Sequence, residues 1–145
     1  MGKCREVMTM DPACCSASDT VTKVAGLMKQ HDVGSVPAVE SDKRLVGIVT
    51  DRDIVLKIVA AGKNADQTAV KEAMTPNPVS CKEDDDLDYA LKLMKERQVR
   101  RMPIVDSNGR LTGIIAQADV ATRLNKDSKT GQLVEAISES ATTRH

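Results

Sequence analysis

Apolar residues recur at helical spacing in two separate parts of the chain. Residues 21–28 and 87–94 each carry apolar side chains at positions i, i+3, i+4 and i+7, which is the spacing of one buried helix face. These positions are Val21, Val24, Ala25 and Met28 in the first part, and Leu87, Ala90, Leu91 and Met94 in the second. The pattern predicts two amphipathic helices. Asp19 is a candidate N-cap for the first, and Asp85 or Asp86 for the second.

Each predicted helix is followed by two short apolar runs around a polar turn, as in a β-hairpin. In the first part the runs span residues 36–39 and 45–49. In the second part the turn at 106–109 contains the Asn-Gly pair that favours tight hairpins. A further helix is predicted from about residue 51 to 61, ending at Gly62, and its counterpart from about 117 to 124. Each part therefore predicts the order strand, helix, strand, strand, helix.

The two parts are copies of one another. Moving residues 8–56 by 66 positions onto 74–122 aligns 17 identical residues over 49 positions without a gap. A repeat at fixed spacing sets the architecture, and each copy is too short to bury a convincing core alone. We predict a mixed α/β fold (α+β) in which two pseudo-symmetric β-α-β-β-α repeats, at 1–62 and 63–125, pack together. The remaining residues, 126–145, are predicted to be a tail with a short amphipathic helix.

Composition excludes several classes of function. Lys plus Arg and Asp plus Glu each number 21, so no global charge points to nucleic acid or to an anionic membrane. Tyr89 is the only aromatic residue, whereas binding of single-stranded nucleic acid by stacking needs several. No apolar run approaches the ~20 residues of a membrane span, and the first residues lack the apolar stretch of a signal peptide. We expect a cytoplasmic protein that binds neither membranes nor nucleic acid.

The four cysteines form no CxxC pair, and we expect them to be free thiols. Cys15 and Cys81 occupy equivalent repeat positions and are interpreted as small core residues. A redox or metal sensor acting through the four cysteines is the alternative, and it would need Cys15 or Cys81 to be exposed and low in pKa. We assign no metal site. With only two histidines, no Ser/His/Asp or Cys/His set recurs, and no catalytic residue is assigned.

The strand-to-helix junction at residues 47–53 carries the most chemistry. Thr50 and Asp53 have the spacing of a capping box, in which a hydroxyl accepts from a backbone N–H and a carboxylate sits in the first helical turn. The same groups would also suit a nucleotide: the cap hydroxyl donates to a phosphate and the carboxylate accepts from the two ribose hydroxyls. In the second copy Asp119 persists, whereas Ala116 replaces the cap hydroxyl.

A basic string is present in one copy only. Arg97, Arg100 and Arg101 of the second copy align with His31, Gly34 and Ser35 of the first. Such a string is commonly a solvated face. Because the first copy lacks it, the fold itself does not require the charge, which favours a phosphate-binding role for at least one arginine.

With these motifs the chain resembles a tandem pair of cystathionine-beta-synthase (CBS) domains, called a Bateman module, over about residues 5–125. The resemblance lies in the Met-Thr start of each copy, the Val-Pro-Ala-Val and Met-Pro-Ile-Val strands, and the two junctions ending at Asp53 and Asp119. The chain is similar in particular to small stand-alone bacterial and archaeal members, which have Thr-Asp-Arg-Asp in one repeat and Val-Arg-Arg-x-Pro in the other. The resemblance implies repeats that pack through their sheets.

The resemblance also implies a regulatory sensor of adenine nucleotides, bound in the cleft between the repeats. Thr50 would meet phosphate, Asp53 the ribose, and three apolar side chains the adenine. The implied site comprises Ile48, Thr50, Asp53, Val79, Val99, Arg100 and Arg101. A second, weaker site would use Ala13, Val33, Ile114 and Asp119, and it is weaker because Ala116 cannot donate to a phosphate. There Arg100 and Arg101 would compensate electrostatically.

The sequence leaves the ligand and the output open. AMP, ADP, ATP, NAD and S-adenosylmethionine all present an adenine and a ribose, and no cofactor is required. The output would be a protein partner, which the sequence does not identify, or a homodimer formed through helical faces such as Ile54, Ile58 and Val59. The alternative to a sensor is a structural dimerisation or interaction module whose ligand sites are vestigial.

Overall fold

The computed structural model describes residues 2–123, and it confirms the α/β repeat. Two copies of the predicted β-α-β-β-α unit follow one another along the chain, and each is preceded by a further two-residue strand. In the first copy the elements are β1 (Thr9–Met10), β2 (Cys15–Ser16), α1 (Val21–His31), β3 (Ser35–Val39), β4 (Leu45–Thr50) and α2 (Asp51–Ile54). In the second they are β5 (Thr75–Pro76), β6 (Cys81–Lys82), α3 (Leu87–Arg97), β7 (Arg101–Val105), β8 (Leu111–Ala116) and α4 (117–123).

Short helical turns complete the fold. A 3-10 turn at Cys4–Glu6 precedes β1, and its counterpart at Val70–Glu72 precedes β5; we call these two segments the lead-ins. A further turn, Ala65–Gln67, lies in the linker. Helix α2 continues as a π-helix over Val55–Val59, and Gly62 then adopts the left-handed φ of +73° at which the chain leaves the helix. Residue 124 and the predicted tail helix lie outside the described residues.

The two copies exchange their first strands. One sheet has the order β2-β3-β4-β5 and the other β1-β8-β7-β6. Strand β1 of the first copy pairs with β8 of the second, with Thr9 opposite Ile114, and β5 pairs with β4, with Thr75 opposite Ile48. Each sheet is therefore completed by the other copy. Each folded half therefore contains the first strand of the other sequence copy.

The cores follow the same exchange. One buried cluster joins α1, β3 and β4 to Val70 and Ala73, which come from the second copy's lead-in. The other joins α3, β7 and β8 to Cys4, from the first copy's lead-in. The hairpin turns also meet, because the Leu45 N–H donates to the Gly109 carbonyl and the Leu111 N–H to the Lys43 carbonyl, at 3.0 and 2.9 Å. The pseudo-symmetric packing of the two repeats is confirmed.

The cap of helix α1 differs from the prediction. Thr20, not Asp19, is the N-cap, and its hydroxyl accepts from the Lys23 N–H at 3.2 Å. Asp19 instead accepts from the Ser16 N–H at 2.9 Å and closes the preceding turn. In the second copy Asp86 occupies the N-cap position without a cap hydrogen bond, while Asp85 closes the turn as Asp19 does.

The predicted outer face of the helix after β4 is wrong in two of its three residues. Ile58 is fully buried in the first core and Ile54 packs against it. Val59 is exposed as expected, and its exposed apolar neighbours are Val55 and Leu56. At about 100° per residue, Ile54 and Ile58 share one face of a helix and Val59 lies about 140° from Ile54, so the three residues do not form a single outer face. No helix among residues 2–123 has the length and apolarity to cross a membrane.

Two equivalent glycines lie where a lead-in crosses a sheet, and they differ in what surrounds them. A Cβ at Gly113 would lie 2.5 Å from Met8 Sδ and 3.0 Å from the Thr9 carbonyl oxygen, which is backbone. At Gly47 the three nearest atoms all belong to the flexible Met74 side chain. We expect Gly113→Ala to lower the free energy of unfolding by about 1–3 kcal/mol through overpacking, and Gly47→Ala to lower it less. Urea denaturation of both variants tests this, and an equal or larger loss for Gly47→Ala would contradict it.

Candidate functional site

A cleft of about 390 Å³ lies between the two halves. Both sequence copies line it. The first contributes Thr9, Asp11, Pro12, Ala13, His31, Val33, Ser35 and Pro37, and the second contributes Arg101, Ile114, Ala116 and Asp119. Its volume lies within the range of small-molecule sites. We call it the Asp119 cleft.

The strand exchange builds this cleft. Pairing of β1 with β8 carries the loop after β1, including Asp11 and Ala13, to the edge of the second half. Strand β8 ends at Ala116, opposite Arg101 at the start of β7, and α4 begins one residue later. The Gln117 N–H donates to the carbonyl of Arg100 at 2.8 Å, which ties the start of α4 to the start of β7.

The structure brings together all four residues of the predicted second site. Ala13, Val33, Ile114 and Asp119 line this one cleft. Arg101, which the resemblance assigned to the first site, lies there with them. Their binding of a nucleotide remains a prediction.

Two charged side chains of the Asp119 cleft make no polar contact with the rest of the described structure. Within residues 2–123, neither the Asp119 carboxylate nor the Arg101 guanidinium has a hydrogen bond or ion pair, and both residues are exposed. Asp11 and His31 are the other ionisable groups in the lining. The cleft thus offers both a cation and an anion, beside the apolar surface of Val33 and Ile114.

Sequence reasoning missed one polar residue of the cleft. Ser35 is 8% exposed and lines the cleft, and its hydroxyl oxygen has no hydrogen-bond partner within the described residues. It had been considered only as the uncharged counterpart of Arg101. The available signal was its position as the first residue of a strand, Ser35–Val39, that is buried along its whole length.

Thr50 and Asp53 form the capping box that their spacing predicts. The Asp53 N–H donates to Thr50 Oγ1 and the Thr50 N–H donates to Asp53 Oδ2, each at 3.0 Å. Asp53 Oδ1 also faces the Lys57 ammonium at 3.4 Å. The structural role of these two residues is confirmed. Their role toward a nucleotide stays a prediction, for which Thr50 retains its hydroxyl hydrogen as a donor.

The other residues of the predicted first site lie on both halves. Ile48 is on β4, two residues before Thr50. Val79 and Val99 are partly buried against the core of the second half, and Arg100 is exposed immediately before β7. The 66-residue offset relates Ile48, Asp53, Val79 and Val99 to Ile114, Asp119, Ala13 and Val33 of the observed cleft. A nucleotide site formed by this set stays a prediction.

Cys15 and Cys81 do not meet the requirements of a thiol sensor. Cys15 and Cys81 are both buried in the cores. Burial raises the pKa of Cys15 to about 12. A hydrogen bond with Cys4, together with burial, raises the pKa of Cys81. Thiols that are buried and protonated at neutral pH are poor nucleophiles. Among residues 2–123, no three His, Cys, Asp or Glu side chains are grouped as a metal ion requires.

Two β-α-β-β-α repeats that exchange first strands around a shared cleft define a class of tandem-repeat modules. The family model of the CBS domain matches this chain twice, over residues 4–60 and 70–126. The chain belongs to the CBS-domain family as a tandem pair of domains, and the resemblance drawn from its sequence is confirmed.

Relatives and solved structures agree with this assignment. YlbB of Bacillus subtilis is 40% identical over 140 residues, which cover 96% of this chain and 93% of that protein. The crystal structure of Hypoxic Response Protein I with two coordinated zinc ions is 34% identical, with a TM-score of 0.77, and covers 83% of this chain and 98% of that one. The curated protein named Hypoxic response protein 1 is from Mycobacterium tuberculosis.

Several structural neighbours were solved with a bound adenosine compound. CBSX2 of Arabidopsis thaliana, crystallised in complex with AMP, matches with a TM-score of 0.76 over 88% of this chain and 99% of that one. It is 24% identical, so this likeness shows the fold alone.

Proposed function

We propose that this protein is a regulatory module without catalytic activity that binds an adenosine-containing ligand between its two CBS domains. The observation that carries the proposal is the Asp119 cleft. It has the volume of a small-molecule site, both domains line it, and it includes the four residues that the resemblance groups as one site. The sequence ranked this site second, and the observed cleft leads us to propose it as the principal one.

The lining offers a complementary partner for each part of an adenosine phosphate. Val33 and Ile114 provide apolar surface for the adenine. The Asp119 carboxylate, which has no partner within residues 2–123, can accept hydrogen bonds from the two ribose hydroxyls, and such bonds to a charged group are among the stronger ones. Arg101 provides the cation for a phosphate. CBSX2, with the same fold, is solved in complex with AMP, which supports the proposal as an analogy of fold.

We further propose that the Thr50–Asp53 junction is the pseudo-symmetric site. Its cap hydroxyl and carboxylate are already joined in the capping box. Binding there would use the remaining hydrogen of Thr50 and the Asp53 oxygen now facing Lys57. The polar side chains of this junction are already paired within the protein, whereas Asp119 and Arg101 of the cleft have no partner among residues 2–123.

A thermal-shift screen tests the proposed function. The ligands are AMP, ADP, ATP, NAD, S-adenosylmethionine and adenosine, with guanosine monophosphate as the matched control for the base. A specific ligand at 100 times its dissociation constant is expected to add about 2.7 kcal/mol to the free energy of unfolding. If no adenosine compound raises the melting temperature above the guanosine control, the sensor proposal fails and the structural dimerisation module is favoured.

We propose a homodimer as the assembled form. Val55, Leu56 and Val59 expose an apolar face on the helix that follows β4, and burying such a face between two copies is favourable. Light scattering at micromolar concentration is expected to give twice the chain mass of 15.6 kDa. Val59→Lys is expected to shift the protein toward the monomer, whereas Tyr89→Lys, at an exposed residue of α3, is expected to remain dimeric. A monomeric mass for the unmodified protein would contradict the proposal.

A further inference from the structure

Two polar residues are buried in the described part of the chain, and only one of their hydroxyls has a partner. Thr68 is 7% exposed, and its hydroxyl donates to the Asn64 carbonyl at 2.7 Å. Ser35 is 8% exposed, and its hydroxyl has no partner. Burying a hydroxyl without a hydrogen bond opposes folding. An unpaired hydroxyl that lines a cleft is therefore a candidate ligand contact.

The position of Ser35 relates it to the missing threonine of the second copy. Ser35 begins β3, opposite Thr50, just as Arg101 begins β7, opposite Ala116. Ser35 and Arg101 are 66 positions apart, and both line the Asp119 cleft. The strand-to-helix junction of this cleft has Ala116 where the other copy has a hydroxyl. The first copy therefore contributes a buried hydroxyl to a cleft whose own junction lacks one.

We propose that Ser35 donates its hydroxyl hydrogen to a phosphate oxygen of the ligand in the Asp119 cleft, in place of the hydroxyl absent at Ala116. This inference rests on the proposed function and adds the phosphate donor to it. Arg101 supplies the charge, and its guanidinium has no carboxylate partner among residues 2–123. A hydroxyl and a guanidinium that are both unpaired complement an anionic oxygen, because hydrogen bonds to charged groups are the stronger ones.

The remaining polar groups of the cleft are consistent with the assignment of the phosphate to Ser35 and Arg101. Asp11 and Asp119 are carboxylates, which repel a phosphate and accept from hydroxyls instead. His31 is exposed, and Thr9 is an exposed residue of β1. Ser35 is the buried hydroxyl of the lining, and a hydrogen bond made there is shielded from water.

The test compares Ser35→Ala with Thr68→Val, which removes the other buried hydroxyl. In the ligand-free protein, Ser35→Ala is expected to keep or raise the melting temperature because no hydrogen bond is lost. Thr68→Val is expected to lower it by about 2–4 °C, through loss of the bond to Asn64. A decrease for Ser35→Ala equal to that for Thr68→Val would show that the Ser35 hydroxyl is already paired, and would overturn the proposal.

Calorimetric titration with AMP and with adenosine then tests the phosphate contact. Ser35→Ala is expected to weaken AMP binding roughly tenfold and to leave adenosine binding within about twofold. Thr68→Val is expected to bind both as the unmodified protein does. Equal weakening of AMP and adenosine by Ser35→Ala would place the hydroxyl on the nucleoside and overturn the phosphate assignment.

The two proposals fail in different ways. If the unmodified protein binds AMP and Ser35→Ala binds it equally well, the Ser35 contact is wrong and the proposed function stands. If the unmodified protein binds none of the adenosine compounds of the thermal-shift screen, the proposed function fails, and the Ser35 contact fails with it. If it binds only adenosine or S-adenosylmethionine, which carry no phosphate, the Ser35 contact alone is wrong.

Discussion

Replacing Asp119 by alanine is expected to weaken AMP binding by about 1.5–3 kcal/mol, the usual worth of hydrogen bonds to a charged group. The free energy of unfolding of the ligand-free protein is expected to stay nearly constant, because the Asp119 carboxylate has no hydrogen bond or ion pair within residues 2–123. Calorimetry and urea denaturation on the same preparations measure both quantities. Unchanged AMP affinity in Asp119→Ala would contradict the assignment of the principal site.

Asp53→Ala is the matched comparison, because Asp53 is the equivalent residue of the first copy. Its carboxylate holds the capping box with Thr50 and faces Lys57. Its loss is expected to cost about 1 kcal/mol of stability, as loss of a cap does, without unfolding the protein. Asp53→Ala is expected to remove binding at the Thr50–Asp53 junction and to leave the affinity of the Asp119 cleft unchanged. The pair of variants thus separates a structural aspartate from a ligand-binding one.

The sequence predicts the elements of this fold well because their signals are local. The helical faces at residues 21–28 and 87–94 and the Asn-Gly turn at 106–109 each specify structure within one stretch of chain. The 66-residue repeat then doubles every such signal. This is why the α/β repeat could be predicted, whereas the grouping of Ala13, Val33, Ile114 and Asp119 came from the resemblance to CBS-domain pairs.

The features that the sequence did not predict depend on contacts across the fold. Strands β1 and β5 are two residues long, too short for an alternating pattern, and their partners are about 100 and 30 residues away along the chain. The strand exchange therefore leaves no local trace. The sequence also does not show that the Ser35 hydroxyl lacks a partner among residues 2–123, because this depends on which polar groups lie near it in the folded protein.

The cap of α1 and the outer face after β4 differ from the prediction for local reasons. Asp19 and Thr20 are adjacent and both can cap a helix, so the sequence does not decide between them. A helical wheel at about 100° per residue places Ile58 about 40° from Ile54 and Val59 about 140° from it, which agrees with two inward isoleucines and an exposed Val59. Both misses concern one turn of helix and leave the architecture intact.

Leu87→Ala is expected to have the largest effect on stability, a loss of about 2–5 kcal/mol in the free energy of unfolding. Leu87 is fully buried at the start of α3. Its N–H donates to the Gly2 carbonyl at 3.0 Å, and its Cδ1 lies 3.2 Å from where a Cβ on Gly2 would stand. The side chain therefore supports the lead-in of the first copy where it packs on the second half. The cavity left by alanine would loosen that lead-in.

Because the same lead-in continues through β1 into the loop that lines the Asp119 cleft, we expect Leu87→Ala to weaken AMP binding as well. Val21 is the equivalent residue of the other half, equally buried, at the start of α1. Its N–H donates to the Thr68 carbonyl rather than to residues leading into β1. Val21→Ala is expected to lower stability less, since fewer buried methyl and methylene groups are removed, and to bind AMP more tightly than Leu87→Ala does. Urea denaturation and AMP titration of both variants measure this difference. Equal AMP affinity of the two folded variants would mean that the docked lead-in stabilises the fold without shaping the cleft.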